Sequence, residues 1–479
     1  MQAPFIDFHC HPALKPYGQS FSDDPAGHND TDPYSLSSLW HADPPRLIDK
    51  ALQDWAGICK FTQADGATLI HGNSRIVCAS IYPIERGFFR DKFGNNCANE
   101  TVNAFITSVG KQRVIDIQNI SNYFKDLQTE YAFYRELNGK QISLEDGNAV
   151  YMLAHNWQEI SDSLQQPDAL RTIHFIFSIE GLHCLNENMD AAPDPQMFLR
   201  NVQAIKAWEH VPFFVTFAHH FNNHLCGHSK SLFDLIGRVC DQSDAINTGF
   251  TDLGRQVLRE VLSTQNGKRI LIDIKHMSPL SRKEFFSFLE TEYANDPIPV
   301  IASHAAANGL RSMDEPVTDF PALAPKLLGE EINFYDNEIL MIAQTGGIYG
   351  LQLDERRAAS EAALKELPKS MFMDAIRENR SSLIWNQIQY VAELLDQHDL
   401  PAWDCMALGS DFDATIDPLN GFLTAAQLPV LNDCLLDHAS TYMKGTGLNL
   451  KPRNQIPAST IIEKIFSTNG QAFLQKWYK

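Results

Sequence analysis

Pro4-Phe5-Ile6-Asp7-Phe8-His9-Cys10-His11-Pro12 is an apolar run of strand length that ends in two histidines. Residues i and i+2 of a strand point to the same side, so His9 and His11 converge and can share one metal ion. Imidazole is a common ligand for zinc and related metals. Cys10 lies between them, points the other way and reads as a packing residue. A lone His-x-His is half a site, so the remaining ligands must come from the rest of the chain.

Short apolar runs rich in β-branched and aromatic residues recur at 5–8, 76–82, 173–179, 213–218, 269–274, 299–303, 347–353 and 405–409. Helical patterns fall between them at 45–62, 98–137, 194–209, 251–263, 281–293, 333–344 and 370–397. Such alternation marks parallel strands buried on both faces. It predicts an α/β protein, a (β/α)8 TIM barrel. A doubly wound sheet is the alternative, but no Gly-x-Gly-x-x-Gly follows the first strand. The 479 residues exceed the roughly 250 of a typical barrel. One domain over 1–479 is therefore expected to carry insertions at 15–45, 66–73, 86–99, 139–170, 311–331 and 413–451. The Gly-, Asn- and Asp-rich stretches 23–32 and 94–99 read as surface loops or lids.

Hydrophobic residues make up 44% and charged residues 20%, enough for a large core. The net charge of −20 argues against nucleic acid or an anionic membrane as partner; it does not identify the small-molecule substrate expected on the grounds below. Nine scattered cysteines without a Cys-x-x-Cys pair suggest reduced thiols. No signal-peptide pattern precedes the first strand and no 18-residue apolar run occurs, so a cytoplasmic, soluble protein is expected.

Polar residues follow the strands at His9/His11, Glu180, His219/His220, His276, His304 and Asp411. The C-terminal strand ends of such a barrel build one site. A carboxylate closing an apolar strand is costly to bury unless it meets a cation or metal, and Glu180 has two oxygens to offer two ions. His276 and His304 end successive strands and suit a second ion. Lys275 competes as a carbamylated bridge, though it adjoins His276 and points oppositely. Asp411 is placed to touch the first metal or a metal-activated water and to shuttle a proton. Asp413 reads as a loop or capping acid. Alternation lets only one of His219 and His220 face the pocket, where a donor would stabilise an oxyanion. Histidines 28, 41, 71, 155, 174, 183, 210, 224, 228, 398 and 438 lack this setting and read as surface or structural. There is no Gly-x-Ser-x-Gly elbow, no Gly-x-x-x-x-Gly-Lys loop and no His-Glu-x-x-His helix.

The chain resembles the membrane (renal) dipeptidase family, peptidase M19 of the amidohydrolase superfamily. The segments that carry the likeness are Ile179-Glu180-Gly181, Thr216-Phe217-Ala218-His219, Gly249-Phe250-Thr251-Asp252-Leu253-Gly254 and Ile272-Asp273-Ile274-Lys275-His276. Val300-Ile301-Ala302-Ser303-His304, Thr345-Gly346-Gly347-Ile348-Tyr349-Gly350 and Gly409-Ser410-Asp411-Phe412-Asp413 continue it, and 461–474 is similar to the family's closing helix. The resemblance implies two divalent ions, zinc by expectation, bridged by Glu180. His9 and His11 would hold one ion, His276 and His304 the other. Asp411 would act as proton shuttle and His219 would contact the scissile carbonyl. It implies a dipeptidase tolerant of a D-residue at the C-terminal position, and it allows a homodimer.

Two departures stand out. The family usually has His-x-Asp where this chain has His9-x-His11, which raises the charge of the site by one. Arg311 is the nearest candidate for the family's substrate-carboxylate arginine but is not at matching spacing. Besides dipeptides, the expectation thus extends to another small amide, an N-acyl amino acid or a lactone. A noncatalytic metal-binding scaffold is the remaining reading.

Overall fold

The computed structural model describes residues 3–22, 27–46, 49–50, 53, 59–91, 93, 96, 100–166, 170–232 and 239–479. Among them one sheet comprises β1 (Phe5–Cys10), β2 (Ser74–Ile81), β3 (Ile142–Leu144), β4 (Gly147–Leu153), β5 (Arg171–Glu180), β6 (Phe214–Thr216), β7 (Leu271–Asp273), β8 (Ile301–Ala305), β9 (Ile348–Leu351) and β10 (Met406–Leu408). β1 pairs with β2 and β10, and β2 with β5. Parallel pairs then run from β5 through β6, β7, β8 and β9 back to β10. The closed parallel barrel with helices between its strands is the expected (β/α)8 fold.

Every residue of β1, β6, β7, β8, β9 and β10 is buried, as near-continuous apolar strands require when helices cover the outside. One hydrophobic cluster extends from Phe5 on β1 to Tyr478 near the last residue. At the level of Ser303 the barrel closes backbone to backbone. A Cβ on Gly350 would lie 1.9 Å from the Ser303 carbonyl oxygen, and one on Gly409 1.8 Å away. Only glycine fits at those two positions, and their closeness brings Ser303 against the end of β1.

Three features differ from expectation. The segment 139–170, read as an insertion, contains the antiparallel β3–β4 hairpin. β4 then pairs with the first half of β5, whose later residues pair with β6. The single helix expected at 98–137 is three, Glu100–Thr107, Lys111–Gln118 and Tyr123–Glu136. Ser108 and Gly110 take left-handed φ values of 59° and 84° between the first two. The Asn122 side chain accepts from Lys125 N–H and starts the third. The connections 66–73 and 413–451 also hold helices, Gly66–His71 and Leu428–Lys444. Of the helix expected at 45–62, half lies outside the described residues; 49, 50 and 53 are helical, while 45–46 and 59–62 are not.

The other helices lie within a few residues of expectation, with clear local causes. Ser278 caps Pro279–Glu292 by accepting from Ser281 N–H, with proline in the first turn. Thr251 caps Asp252–Leu262 in the same way through Gly254 N–H. No helix among the described residues is long and apolar enough to cross a membrane. The eight described free cysteines include Cys10, which packs in the core as expected; Cys97 lies outside the described residues.

Candidate metal centre

The strand ends bring the expected residues together around Glu180. His11 Nε2 lies 3.0 Å from Glu180 Oε2, while the Nε2 atoms of His9, His276 and His304 lie 3.4, 3.5 and 3.6 Å from Oε1. His9 and His11 approach each other Nε2 to Nε2 at 3.2 Å, and His276 and His304 at 3.1 Å. Asp411 Oδ1 stands 3.7 Å from His9 Nε2. All six side chains are buried. His276 and Asp411 have left-handed φ of 65° and 62°. There the chain leaves the strand direction to aim a side chain, a strain that such sites commonly carry.

Two facts test whether this donor set fits metal. The first is protonation. Burial pushes His276 down to about 3 and His304 well below its ordinary value, so both are neutral. Burial works against ionising Glu180, but His219, His9 and His11 outweigh it and hold its carboxyl well below the usual range. The second is tautomer. Ser303 Oγ donates to Asp273 Oδ2 at 2.6 Å and lies 3.2 Å from His9 Nδ1 and 2.9 Å from His304 Nδ1. With its proton committed, that oxygen accepts from both Nδ1–H groups, which leaves both Nε2 lone pairs bare and facing Glu180. Asp273 is fixed in turn by Thr216 Oγ1 and by the backbone N–H groups of Ser303 and Lys275. Bare nitrogens opposed at hydrogen-bond distance around a carboxylate suit divalent cations. Glu180 with His9 and His11, and Glu180 with His276 and His304, each form a metal-capable group.

His219 sits beside the centre, its Nε2 3.6 Å from Glu180 Oε1. Its Nδ1 is 2.6 Å from Glu85 Oε2, which also accepts from the Tyr82 hydroxyl at 2.9 Å. Burial disfavours a charged His219, but Glu85 and Glu180 outweigh it and raise its pKa. Burial likewise opposes ionised Glu85, yet His219 above all holds it down at about 2. Burial and then Glu180 push Asp411 well above the usual carboxylate range.

Several sequence expectations change. His219 and His220 do not alternate, because β6 ends at Thr216 and both come after it in irregular chain. Their ring centroids are 3.9 Å apart, and His220 lies 4.9 Å from His276. Lys275 is buried, and burial with Arg357 lowers its pKa to about 7 against the opposing pull of Asp411. Asp413 is a buried tether, paired with Lys15 at 2.8 Å and accepting from the N–H groups of Gln63 and Ala64. Arg311 is not brought to the centre. Its guanidinium is held at the surface by Asp319 and Glu315, each at 2.6 Å. His183, grouped with the structural histidines, is buried with its Nδ1 3.8 Å from Glu85 Oε1. Glu85 was missed altogether. The signal was weaker, since Glu85 lies three residues past the expected strand 76–82, against one for Glu180 and two for Asp411.

The closed barrel carries a buried carboxylate and a histidine rim at its strand ends. Two solved structures share the barrel fold over the whole chain. A dipeptidase of metallopeptidase family M19 has 12% identity and a TM-score of 0.52, with 100% of this chain and 99% of that one covered. A metallopeptidase from Rhodobacter sphaeroides, liganded with a phosphinate mimic of the dipeptide L-Ala-D-Ala, has 13% identity and the same score of 0.52, with 100% of each chain covered. No protein-family profile and no curated protein sequence matches the chain. The chain thus has the fold of the M19 metallo-dipeptidases at very low sequence identity.

Proposed function

We propose that the chain is a metal-dependent hydrolase of small amides, and a dipeptidase first among them. The observation that carries this is the convergence of four imidazole Nε2 atoms on Glu180. His9 and His11 would hold one divalent ion, His276 and His304 a second, with Glu180 between them and zinc as the metal. The ions would supply Lewis-acid polarisation of the substrate carbonyl and a water acidic enough to attack at neutral pH.

The chain's own groups supply the rest. His219, oriented and charged by Glu85, presents Nε2 as donor to the carbonyl oxygen where negative charge develops. Asp411 accepts the proton of the attacking water and returns it to the leaving amine. Burial of both groups excludes bulk water from these transfers. The bound dipeptide mimic in the Rhodobacter sphaeroides structure favours the same substrate class here.

The position of Arg311 favours a second reading. With its guanidinium committed to Asp319 and Glu315, a substrate lacking a free carboxylate, such as another small amide or a lactone, is the alternative. Metal analysis should return close to two ions per chain. A panel of L,L- and L,D-dipeptides should then be hydrolysed by the loaded protein. Turnover of lactones or of small amides without a carboxylate, in the absence of any dipeptide turnover, would replace the first reading by the second.

A further inference from the structure

Glu85, which holds His219, also lines a cavity of about 210 Å³ together with Arg86, Tyr123, His183, Phe221 and Asp244. Two acceptors face each other in its wall. His183 Nε2 lies 2.8 Å from the Pro83 carbonyl oxygen, which has no proton to give. Nε2 is therefore the donor, and in the neutral ring Nδ1 is a bare lone pair. His183 is 5% exposed, and no described group donates to its Nδ1. Burial lowers its pKa and keeps the ring neutral. Glu85 Oε1 stands 3.8 Å from that Nδ1, close enough for one nitrogen to lie within about 2.9 Å of both.

The charge of the walls has the same sign preference. Asp241 and Asp244 join Glu85 there. The one guanidinium, that of Arg86, is turned onto the Ile120 and Met189 carbonyls and onto Asp190. A buried acceptor pair with surplus negative charge selects a cationic donor.

We infer that this cavity binds the protonated amine of a small ligand, received between Glu85 Oε1 and His183 Nδ1. The identity of that ligand rests on the dipeptidase reading. There it is the free α-amine of the substrate; a free alkylamine offers the same chemistry.

Two measurements separate these sources. Calorimetric titration of n-butylammonium into the metal-loaded protein should show binding that His183→Leu weakens about tenfold, the loss of one charge-assisted hydrogen bond. That substitution leaves the Glu85–His219 bond in place. Kinetics with L-Ala-L-Ala and its N-acetyl derivative should give a kcat/KM about tenfold higher for the free amine. In His183→Leu the gap should close, with the loss falling mainly on the free-amine substrate. If His183→Leu does not fold, Asp244→Lys at the exposed wall replaces it and should weaken butylammonium through charge alone. Absence of butylammonium binding, or equal damage to both substrates, overturns the inference. Butylammonium binding that depends on His183, with neither dipeptide hydrolysed, sustains the amine site and refutes the dipeptidase reading instead.

Discussion

Among the described residues, two clusters bring histidine and glutamate ligand atoms within 4.8 Å of one another, and they differ in what surrounds those atoms. They are the Glu180 centre and a trio of His155, Glu209 and His210. In the centre, His9 and His11 meet edge-on with ring centroids 5.0 Å apart at 77°, and His276 and His304 lie tilted at 5.1 Å and 51°. His155 and His210 lie 4.3 Å apart at 30°, but His9 and His304 in the centre lie 4.0 Å apart at 31°, so ring angle does not separate the two clusters and their surroundings must. Glu180 faces only imidazoles, whereas Glu209 is exposed and paired with Arg135 at 3.5 Å. The centre's outer nitrogens on His9 and His304 share the Ser303 hydroxyl; in the trio His155 Nδ1 bonds Glu159 and His210 Nδ1 bonds Tyr131. Proximity alone is therefore a weak sign of a metal site. What counts is whether bare lone pairs are held inward around a buried carboxylate.

The largest effect should come from the carboxylate. Glu180→Gln keeps the shape but removes the charge that both pairs face. Metal content should fall from near two ions toward none, and hydrolysis by more than about 100-fold, the upper end for outer-shell residues. Unchanged metal content by elemental analysis would erase the distinction between the clusters. Ser303 comes next. Ser303→Ala frees the Nδ1 groups of His9 and His304, one ligand of each ion. Both ions should then bind about 10–100-fold more weakly, with Ser303→Thr restoring much of the loss. A competition assay with a chromophoric chelator reads this directly, and weakening of one ion only would show that the hydroxyl does not link the two.

The barrel was legible because its strands are continuous apolar runs, each closed by a polar residue that has no business in a core. The same logic found Glu180, His276, His304 and Asp411 at their strand ends. It failed where strand geometry ended early. His220 reaches the centre because β6 stops at Thr216, and the period-2 rule no longer governs the residues beyond it. The β3–β4 hairpin lay inside an apparent insertion, since a strand that pairs with only half of β5 leaves a short, weak pattern. Glu85 and His183 act through contacts between separate strand ends, which no local spacing encodes. Arg311 had the right residue type, but its neighbours Glu315 and Asp319 had already claimed its charge.

The next effect belongs to the trio and concerns acid stability. His210 has its pKa pushed down to about 4 by burial, with His155 and Arg135 adding to burial and Glu209 and Glu159 opposing it. An unfolded histidine titrates near 6.5. Its stabilising share is thus complete above about pH 6.5 and is lost as pH falls from there toward 4. His210→Gln should therefore narrow the drop in melting temperature between pH 7 and pH 5. Chelated protein must be used, so that loss of metal from the centre does not contribute. An equal drop in variant and wild type would mean that His210 is not held neutral.

The smallest effect is the sharpest test of the comparison. His155→Ala removes the more accessible imidazole of the trio. A trio that bound metal would lose an ion from the count and would weaken toward added zinc or nickel. The surroundings argue for neither, because His155 spends Nδ1 on Glu159, His210 spends Nδ1 on Tyr131, and Glu209 is exposed and paired with Arg135. Metal stoichiometry and hydrolysis should match wild type, and stability should shift by no more than about 0.5 kcal/mol, as at other surface positions. A third ion in wild type that disappears in His155→Ala would mean that the trio's imidazoles reorganise on binding. Distance would then have been the better guide after all.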